Sequence, residues 1–109
     1  FSLESDRVIK EVTVAKMPLL EDVKAAILDA VYHPIGSAPI NELVKPGQKI
    51  AFICNDPTRV ANSFVFMPIL VNEMNKLGIK DEDMHIVFAL GTHRNMTHEE
   101  MVEAVGAEV

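Results

Sequence analysis

Positive charge is scarce in this sequence. Its 109 residues include 10 Lys and Arg against 16 Asp and Glu, which gives a formal net charge of −6. Nucleic acids and anionic membranes bind clustered positive surfaces, so this charge balance argues against both as partners. The partners that we expect are small molecules or other proteins.

Long hydrophobic runs are also missing. No stretch approaches the ~20 apolar residues that a helix needs to span a bilayer, and the N-terminal FSLESDRVIK lacks the apolar centre of a signal peptide. The single cysteine, Cys54, cannot form an internal disulfide and agrees with a reducing compartment. We therefore expect a cytoplasmic protein that makes no membrane contact.

Signatures of the commonest cofactor sites are absent as well. Neither GxGxxG nor GxxxxGK[ST] occurs, so the sequence does not indicate a usual dinucleotide site or a P-loop. No spacing typical of metal ligands occurs either, and we assign no metal ligand to this chain. Any binding chemistry must come from less common motifs.

Strand and helix patterns alternate along the chain, which predicts an α/β fold with a Rossmann-like parallel sheet and flanking helices. We divide it into a lead-in strand, helix and loop at residues 1–48 and a βαβα core at residues 49–109. The strand at 49–54 lacks clean alternation, so we expect it to be covered on both faces. The predicted elements are strands at 8–15, 49–54 and 84–90, and helices at 20–31, 40–44, 65–77 and 97–105.

Two of these helices carry specific start signals. Pro68 would cost ~3 kcal/mol deep inside a helix, so we expect the third helix to begin near Val65, with Phe64 and Met67 on its buried stripe. Thr97 and Glu100 have the spacing of a capping box, which predicts the start of the last helix.

Polar residues follow both core strands. Ligands of open α/β sheets collect outside the carboxyl ends of the strands. If the two strands are neighbours, the loop NDPTR and the loop GTHR face each other across one crevice. The residues concerned are Asp56, Thr58 and Arg59 on one side and Gly91, Thr92, His93 and Arg94 on the other.

These residue types allow binding and proton chemistry. Arginine binds a carboxylate or a phosphate with two N–H groups, histidine exchanges protons near neutral pH, and aspartate can orient a histidine.

Ordinary turn chemistry explains the same residues, since Asp56 in Asp-Pro-Thr can simply accept backbone N–H groups. A third alternative is a noncatalytic binding or regulatory module in which Asp56 accepts a phosphoryl group, although no further carboxylate for Mg²⁺ neighbours it. An enzyme site requires Asp56, Arg59 and His93 in one cleft.

Three ordered motifs carry a family resemblance. Part of the sequence, about residues 28–109, resembles the N-terminal domain of the nickel-pincer lactate racemase family of 2-hydroxyacid racemases. The motifs that carry the resemblance are, in order, HPIGSAPINEL, NDPTR and GTHRNMTHEEMVEAVG. The resemblance implies an isomerase that interconverts the enantiomers of a 2-hydroxy acid. It also implies a nickel-pincer pyridinium mononucleotide cofactor.

The resemblance implies roles for individual residues. His93 matches the proton-transferring histidine, Arg59 and Asp56 match polar residues of the substrate pocket, and Thr58 lies between them, where it would touch the cofactor or the substrate. In the family, a second histidine, the lysine that anchors the cofactor and the nickel-ligating histidine lie downstream of the matched region. We therefore expect part of a larger two-domain enzyme, completed by the remainder of its own chain and inactive alone. An open sheet edge would favour a homo-oligomer.

Overall fold

A computed structural model describes residues 12–59 and 61–109 of the chain. Strands β1 and β2 pair in parallel, with Ile50 opposite Met84 and Asn55 opposite Ala89. The predicted α/β fold with parallel strands is confirmed. The elements in chain order are α1 Val23–Tyr32, α2 Ile40–Leu43, β1 Ile50–Asn55, α3 Ser63–Lys76, a 3₁₀ turn at Asp81–Asp83, β2 Met84–Ala89 and α4 His98–Val105.

One face of the sheet packs against α3 and α4. Side chains alternate across a strand, so Phe52 and Cys54 of β1 share a face with Ile86 and Phe88 of β2. These side chains surround Met67 of α3, which is only 1% exposed. Removal of this apolar surface from water, at about 25 cal/mol per Å², holds the β1–α3–β2 unit together.

The opposite face of the sheet is uncovered within the described residues. Ile53 of β1 is 66% exposed and Val87 of β2 is 48% exposed. The expectation that β1 is covered on both faces is therefore wrong for this part of the chain. The reason is that α3 and α4 both pack on the other face of the sheet, the one that carries Phe52 and Cys54 and contacts Met67 of α3.

Helix α3 begins at Ser63, two residues earlier than predicted. Pro68 consequently lies inside the helix, where it has no N–H to donate to the carbonyl of Phe64. The end of α4 lies close to this carbonyl: a Cβ added at Gly106, whose φ is 97°, would be 3.3 Å from the Phe64 oxygen. Phe64, predicted to be part of the buried stripe, is 53% exposed, so this part of the prediction is wrong, whereas Met67 and Met74 of the same stripe are buried.

A buried carboxylate attaches α1 to α3. The Tyr32 hydroxyl donates to Glu73 Oε1 at 2.6 Å, and Lys76 Nζ donates to Glu73 Oε2 at 2.7 Å. Both bonds favour the ionised form, so Lys76 and then Tyr32 hold the pKa of Glu73 below its usual value. Helix α1 itself starts at the cap residue Asp22, whose side chain accepts the Ala25 N–H at 2.9 Å.

The predicted lead-in strand lies partly outside the described residues, which begin at position 12. Residues 12–15 form no regular secondary structure, and the side chains of Val12 and Val14 are exposed. A strand needs a hydrogen-bonded neighbour, and the described sheet consists of β1 and β2.

Helix α1, predicted at 20–31, begins three residues later, at Val23, after the cap residue Asp22. The other local predictions agree closely with the structure. Helix α2 lies within the predicted residues 40–44. Thr97 and Glu100 form the predicted capping box, and Gly106 ends α4. None of the described helices is long and apolar enough to cross a bilayer.

Replacement of Met67 should show how much the fold depends on this core. Met67→Ala would leave a cavity between the sheet and α3, so we expect the free energy of unfolding to fall by about 2–5 kcal/mol. Met67→Leu, which keeps the volume, should cost less than about 1.5 kcal/mol. Denaturant unfolding of both variants measures the difference, and equal effects would contradict the central place given to Met67.

Candidate functional site

The loop after β1 holds a buried carboxylate by its own hydrogen bonds. Asp56 is 7% exposed. Its Oδ1 accepts the Thr58 N–H at 2.9 Å and the Thr58 hydroxyl at 2.6 Å, and its backbone carbonyl accepts the Arg59 N–H at 3.1 Å. Pro57 restricts the backbone φ angle at the turn. The local sequence therefore sets the orientation of Asp56.

The loop after β2 brings His93 to the same place. Its backbone N–H donates to the carbonyl of Leu90 at 3.0 Å, and its Nδ1 forms a hydrogen bond with Asp56 Oδ2. The His93 side chain remains 50% exposed. Because the ends of β1 and β2 lie side by side, the two polar loops meet at one edge of the sheet.

The protonation of Asp56 determines the direction of this hydrogen bond. The Thr58 hydroxyl, and after it His93, hold the pKa of the Asp56 carboxyl below its usual value. An ionised carboxylate only accepts hydrogen bonds, so Nδ1 of His93 is the donor. In the neutral imidazole, Nε2 is then the nitrogen with a free lone pair.

Asp56, Arg59 and His93 line one open cleft of about 430 Å³. Arg59 is exposed and makes no side-chain hydrogen bond or ion pair with another residue of the described ranges. A fixed acid, an imidazole and an available guanidinium thus share one space, which is the arrangement that an enzyme site requires.

Arg94 does not join this cleft, although we expected it to face the crevice. Its guanidinium instead grips the carboxylate of Glu100 with two bonds, at 2.6 and 2.8 Å. The capping box places Glu100 within reach, and paired bonds of this kind are among the strongest between side chains. The bonds to Arg94 and to the Thr97 N–H lower the pKa of Glu100 to about 2. In the sequence, the feature that indicates this ion pair is the capping box, which begins at Thr97, three residues after Arg94.

Two further residues near the cleft, Cys54 at the end of β1 and Thr58 in the loop after it, have structural partners. The Cys54 thiol is buried at 3.9 Å from the sulfur of Met67, and burial raises its pKa, so it packs as a neutral group. Thr58 directs both its hydroxyl and its N–H to Asp56. It is not among the residues that line the cleft, so its contact with a cofactor stays a prediction.

Comparison with known proteins identifies the family. A sequence profile described as the lactate racemase N-terminal domain matches residues 1–109. The chain belongs to this family. The lactate racemase of Lactiplantibacillus plantarum is 35% identical over 77 residues, or 71% of the chain. The lactate racemase of Thermoanaerobacterium thermosaccharolyticum is 31% identical over 80 residues, or 73% of the chain.

The lactate racemase N-terminal domain described here is short beside these relatives. The matched segment covers 18% of the length of each of the two proteins. Most of each relative therefore lies outside the region that it shares with this chain.

The donor groups of this lactate racemase N-terminal domain do not fit a nickel centre by themselves. Within residues 12–59 and 61–109, no cluster of three or more His, Cys, Asp and Glu side chains could hold a metal ion. His93 has one ring nitrogen committed to Asp56, and the Cys54 thiol is buried. We therefore assign no nickel ligand to the described residues of the cleft.

The charge on Glu100 should stabilise the start of α4 in a pH-dependent way. Its folded pKa of about 2 lies below the usual value of about 4.3. The stabilisation is therefore fully present above the usual value and is lost as the pH falls through the folded value. Glu100→Gln keeps a capping side chain but removes this charge, so the variant should protect α4 less than the wild type at about pH 6, and this deficit should shrink as the pH falls towards about 2.

Amide hydrogen exchange of residues 98–105, compared as protection factors, measures this effect. Glu103→Gln on the same helix is the matched control, since Glu103 forms no salt bridge among the described residues. A Glu100→Gln deficit that persists unchanged at low pH would contradict the ionic origin of the effect.

Proposed function

We propose that this domain is part of a 2-hydroxyacid racemase of the lactate type, to which it supplies a proton-transfer histidine and a carboxylate-binding arginine. The observation that supports the proposal is the presence of Asp56, Arg59 and His93 around one cleft. A 2-hydroxy acid carries a carboxylate and a hydroxyl on adjacent carbons. Arginine and histidine are suited to bind these two groups.

Arg59 binds the substrate carboxylate. Its planar guanidinium offers paired N–H groups that match the two carboxylate oxygens. It is exposed in the cleft, and none of the described residues occupies its side chain through a hydrogen bond or ion pair. Binding at this end holds the hydroxyl-bearing carbon one bond away from a fixed point, which is the kind of positioning that accelerates a reaction.

His93 accepts the proton of the substrate hydroxyl at Nε2. The imidazolium that results is stabilised by the ionised Asp56 at Nδ1. In the reverse step, when the same enantiomer re-forms from the keto acid, this nitrogen returns the proton and acts as the acid. General acid–base assistance of this kind contributes roughly 10²- to 10⁴-fold in rate.

Racemisation also requires that the hydrogen on the substrate carbon leave and return on either face. The family resemblance attributes this hydride chemistry to a nickel-pincer pyridinium mononucleotide. The described residues do not hold the metal, and they include no second histidine beside the cleft. We therefore expect these 109 residues alone to have no racemase activity.

The two alternative functions explain less of the geometry. A phosphoryl-accepting aspartate needs a free oxygen, yet Oδ1 of Asp56 accepts from Thr58 and Oδ2 accepts from His93. A purely structural polar loop explains the bond between Asp56 and His93, but it leaves Arg59 in the cleft without a role. The racemase proposal uses all three side chains.

Removal of the imidazole should abolish most of the activity. In the full-length protein loaded with its cofactor, we expect His93→Ala to lower kcat for 2-hydroxyacid racemisation by roughly 10²- to 10⁴-fold. His98→Ala is the matched control, because His98 lies in the first turn of α4 and outside the cleft. Unchanged turnover of His93→Ala would refute the assigned role.

Loss of the guanidinium should weaken substrate binding. We expect Arg59→Ala to lower kcat/KM by about ten- to a hundredfold, since hydrogen bonds to charged groups contribute about 1.5–3 kcal/mol. Arg59→Lys keeps the charge but loses the paired N–H geometry, so its value should lie between those of Arg59→Ala and the wild type. Steady-state kinetics with both enantiomers measures these values, and a kcat/KM unaffected by Arg59→Ala would count against carboxylate binding.

A further inference from the structure

We propose that Thr58 is a positioning residue that fixes the carboxylate plane of Asp56 and thereby holds His93 with its proton on Nδ1 and its free lone pair on Nε2. The inference deepens the proposed function and rests on it for its effect on catalysis. Its structural part concerns Thr58, Asp56 and His93 alone.

The two oxygens of Asp56 have separate partners. Oδ1 accepts the Thr58 N–H at 2.9 Å and the Thr58 hydroxyl at 2.6 Å. Oδ2 accepts from Nδ1 of His93. A carboxylate is planar, so donors that hold Oδ1 also determine the direction in which Oδ2 presents its lone pairs.

The hydroxyl adds a constraint that the backbone N–H alone does not provide. The terminal torsion of an aspartate side chain has a broad range of low-energy values, and one donor to one oxygen leaves much of this range accessible. A second donor to the same oxygen narrows the range. Thr58 is suited to this role because a β-branched side chain is stiff at χ1, which keeps its hydroxyl in place.

The position of Thr58 favours this role over direct ligand contact. The cleft is lined by Asp56, Arg59 and His93 but not by Thr58. Thr58 therefore acts on the cleft through Asp56. The bond at 2.6 Å joins the hydroxyl of the exposed Thr58 to a carboxylate that is 7% exposed.

The tautomer of His93 is the property that depends on this arrangement. Neutral imidazole carries its proton on either nitrogen, and the hydrogen bond made by one nitrogen sets the state of the other. A well-directed Oδ2 favours the proton on Nδ1. If the Asp56 carboxylate rotates, the second tautomer becomes populated, and in that state Nε2 cannot accept a proton from the substrate.

Thr58→Val and Thr58→Ser in the full-length protein separate the hydroxyl from the shape of the side chain. Valine keeps the size and branching without the hydroxyl, and serine keeps the hydroxyl. NMR of ¹⁵N-labelled histidine reports which ring nitrogen carries the proton, and His93→Gln assigns the signal of His93. Thr58→Ala serves as a second hydroxyl-free variant if valine prevents folding.

In the hydroxyl-free variants we expect the fraction of His93 protonated at Nδ1 to fall. We also expect kcat to drop by about ten- to a hundredfold while KM stays within about twofold, because Arg59 still binds the carboxylate. Thr58→Ser should restore both the tautomer and kcat.

The proposal is overturned if the ring-nitrogen NMR signals of His93 are the same in Thr58→Val, Thr58→Ala and the wild type. So would a tautomer shift without any change in kcat in a protein with racemase activity. If the hydroxyl-free variants keep the His93 tautomer but lose bound cofactor, the proposal also fails, and Thr58 contacts the cofactor instead. If the full-length protein shows no racemase activity but the tautomer shifts as expected, the positioning of His93 stands and the proposed function fails.

Discussion

The parallel pairing of β1 with β2 is the constraint on which the candidate site depends. It places Asn55 opposite Ala89, so the chain leaves both strands at the same edge of the sheet. An antiparallel pair would send the two exit loops to opposite ends. The packing of α3 through Met67 makes the parallel connection stable, since the helix must cross over one face of the sheet between the strands. The meeting of Asp56 and His93 follows from this topology.

Two adjacent residues of the β2 exit loop are held by two different carboxylates. His93 binds Asp56 from the first loop, and Arg94 binds Glu100 from α4. The loop is therefore tied on one side to the end of β1 and on the other to a capped helix. Preorganisation of this kind lowers the entropic cost of ordering these side chains when a ligand binds. It also explains why the imidazole can be half exposed and still have a defined orientation.

Local patterns predicted the elements from α1 to α4 well, although residues 12–15 of the expected first strand form no strand, and they predicted the surroundings of these elements poorly. The capping box of α4 and the apolar core strands depend on residues close together in the sequence, so the sequence predicted them. Other features depend on which elements pack against each other in space, and these were predicted wrongly. They are the direction of the Arg94 side chain, the exposure of Phe64 and the covering of β1. The close approach of Gly106 to Phe64 and Pro68 is likewise a contact between elements distant in the chain.

The sequence by itself determined the order of strands and helices, the turn around Asp56 and the family, because each rests on neighbouring residues or on ordered motifs. Only the tertiary structure decided which polar side chains meet. It joined Asp56 to His93 across 37 positions of the chain, directed Arg94 away to Glu100 and left Arg59 in the cleft. The physical reason is that a hydrogen bond depends on distance and angle in space, and both are set by the packing of the sheet and helices.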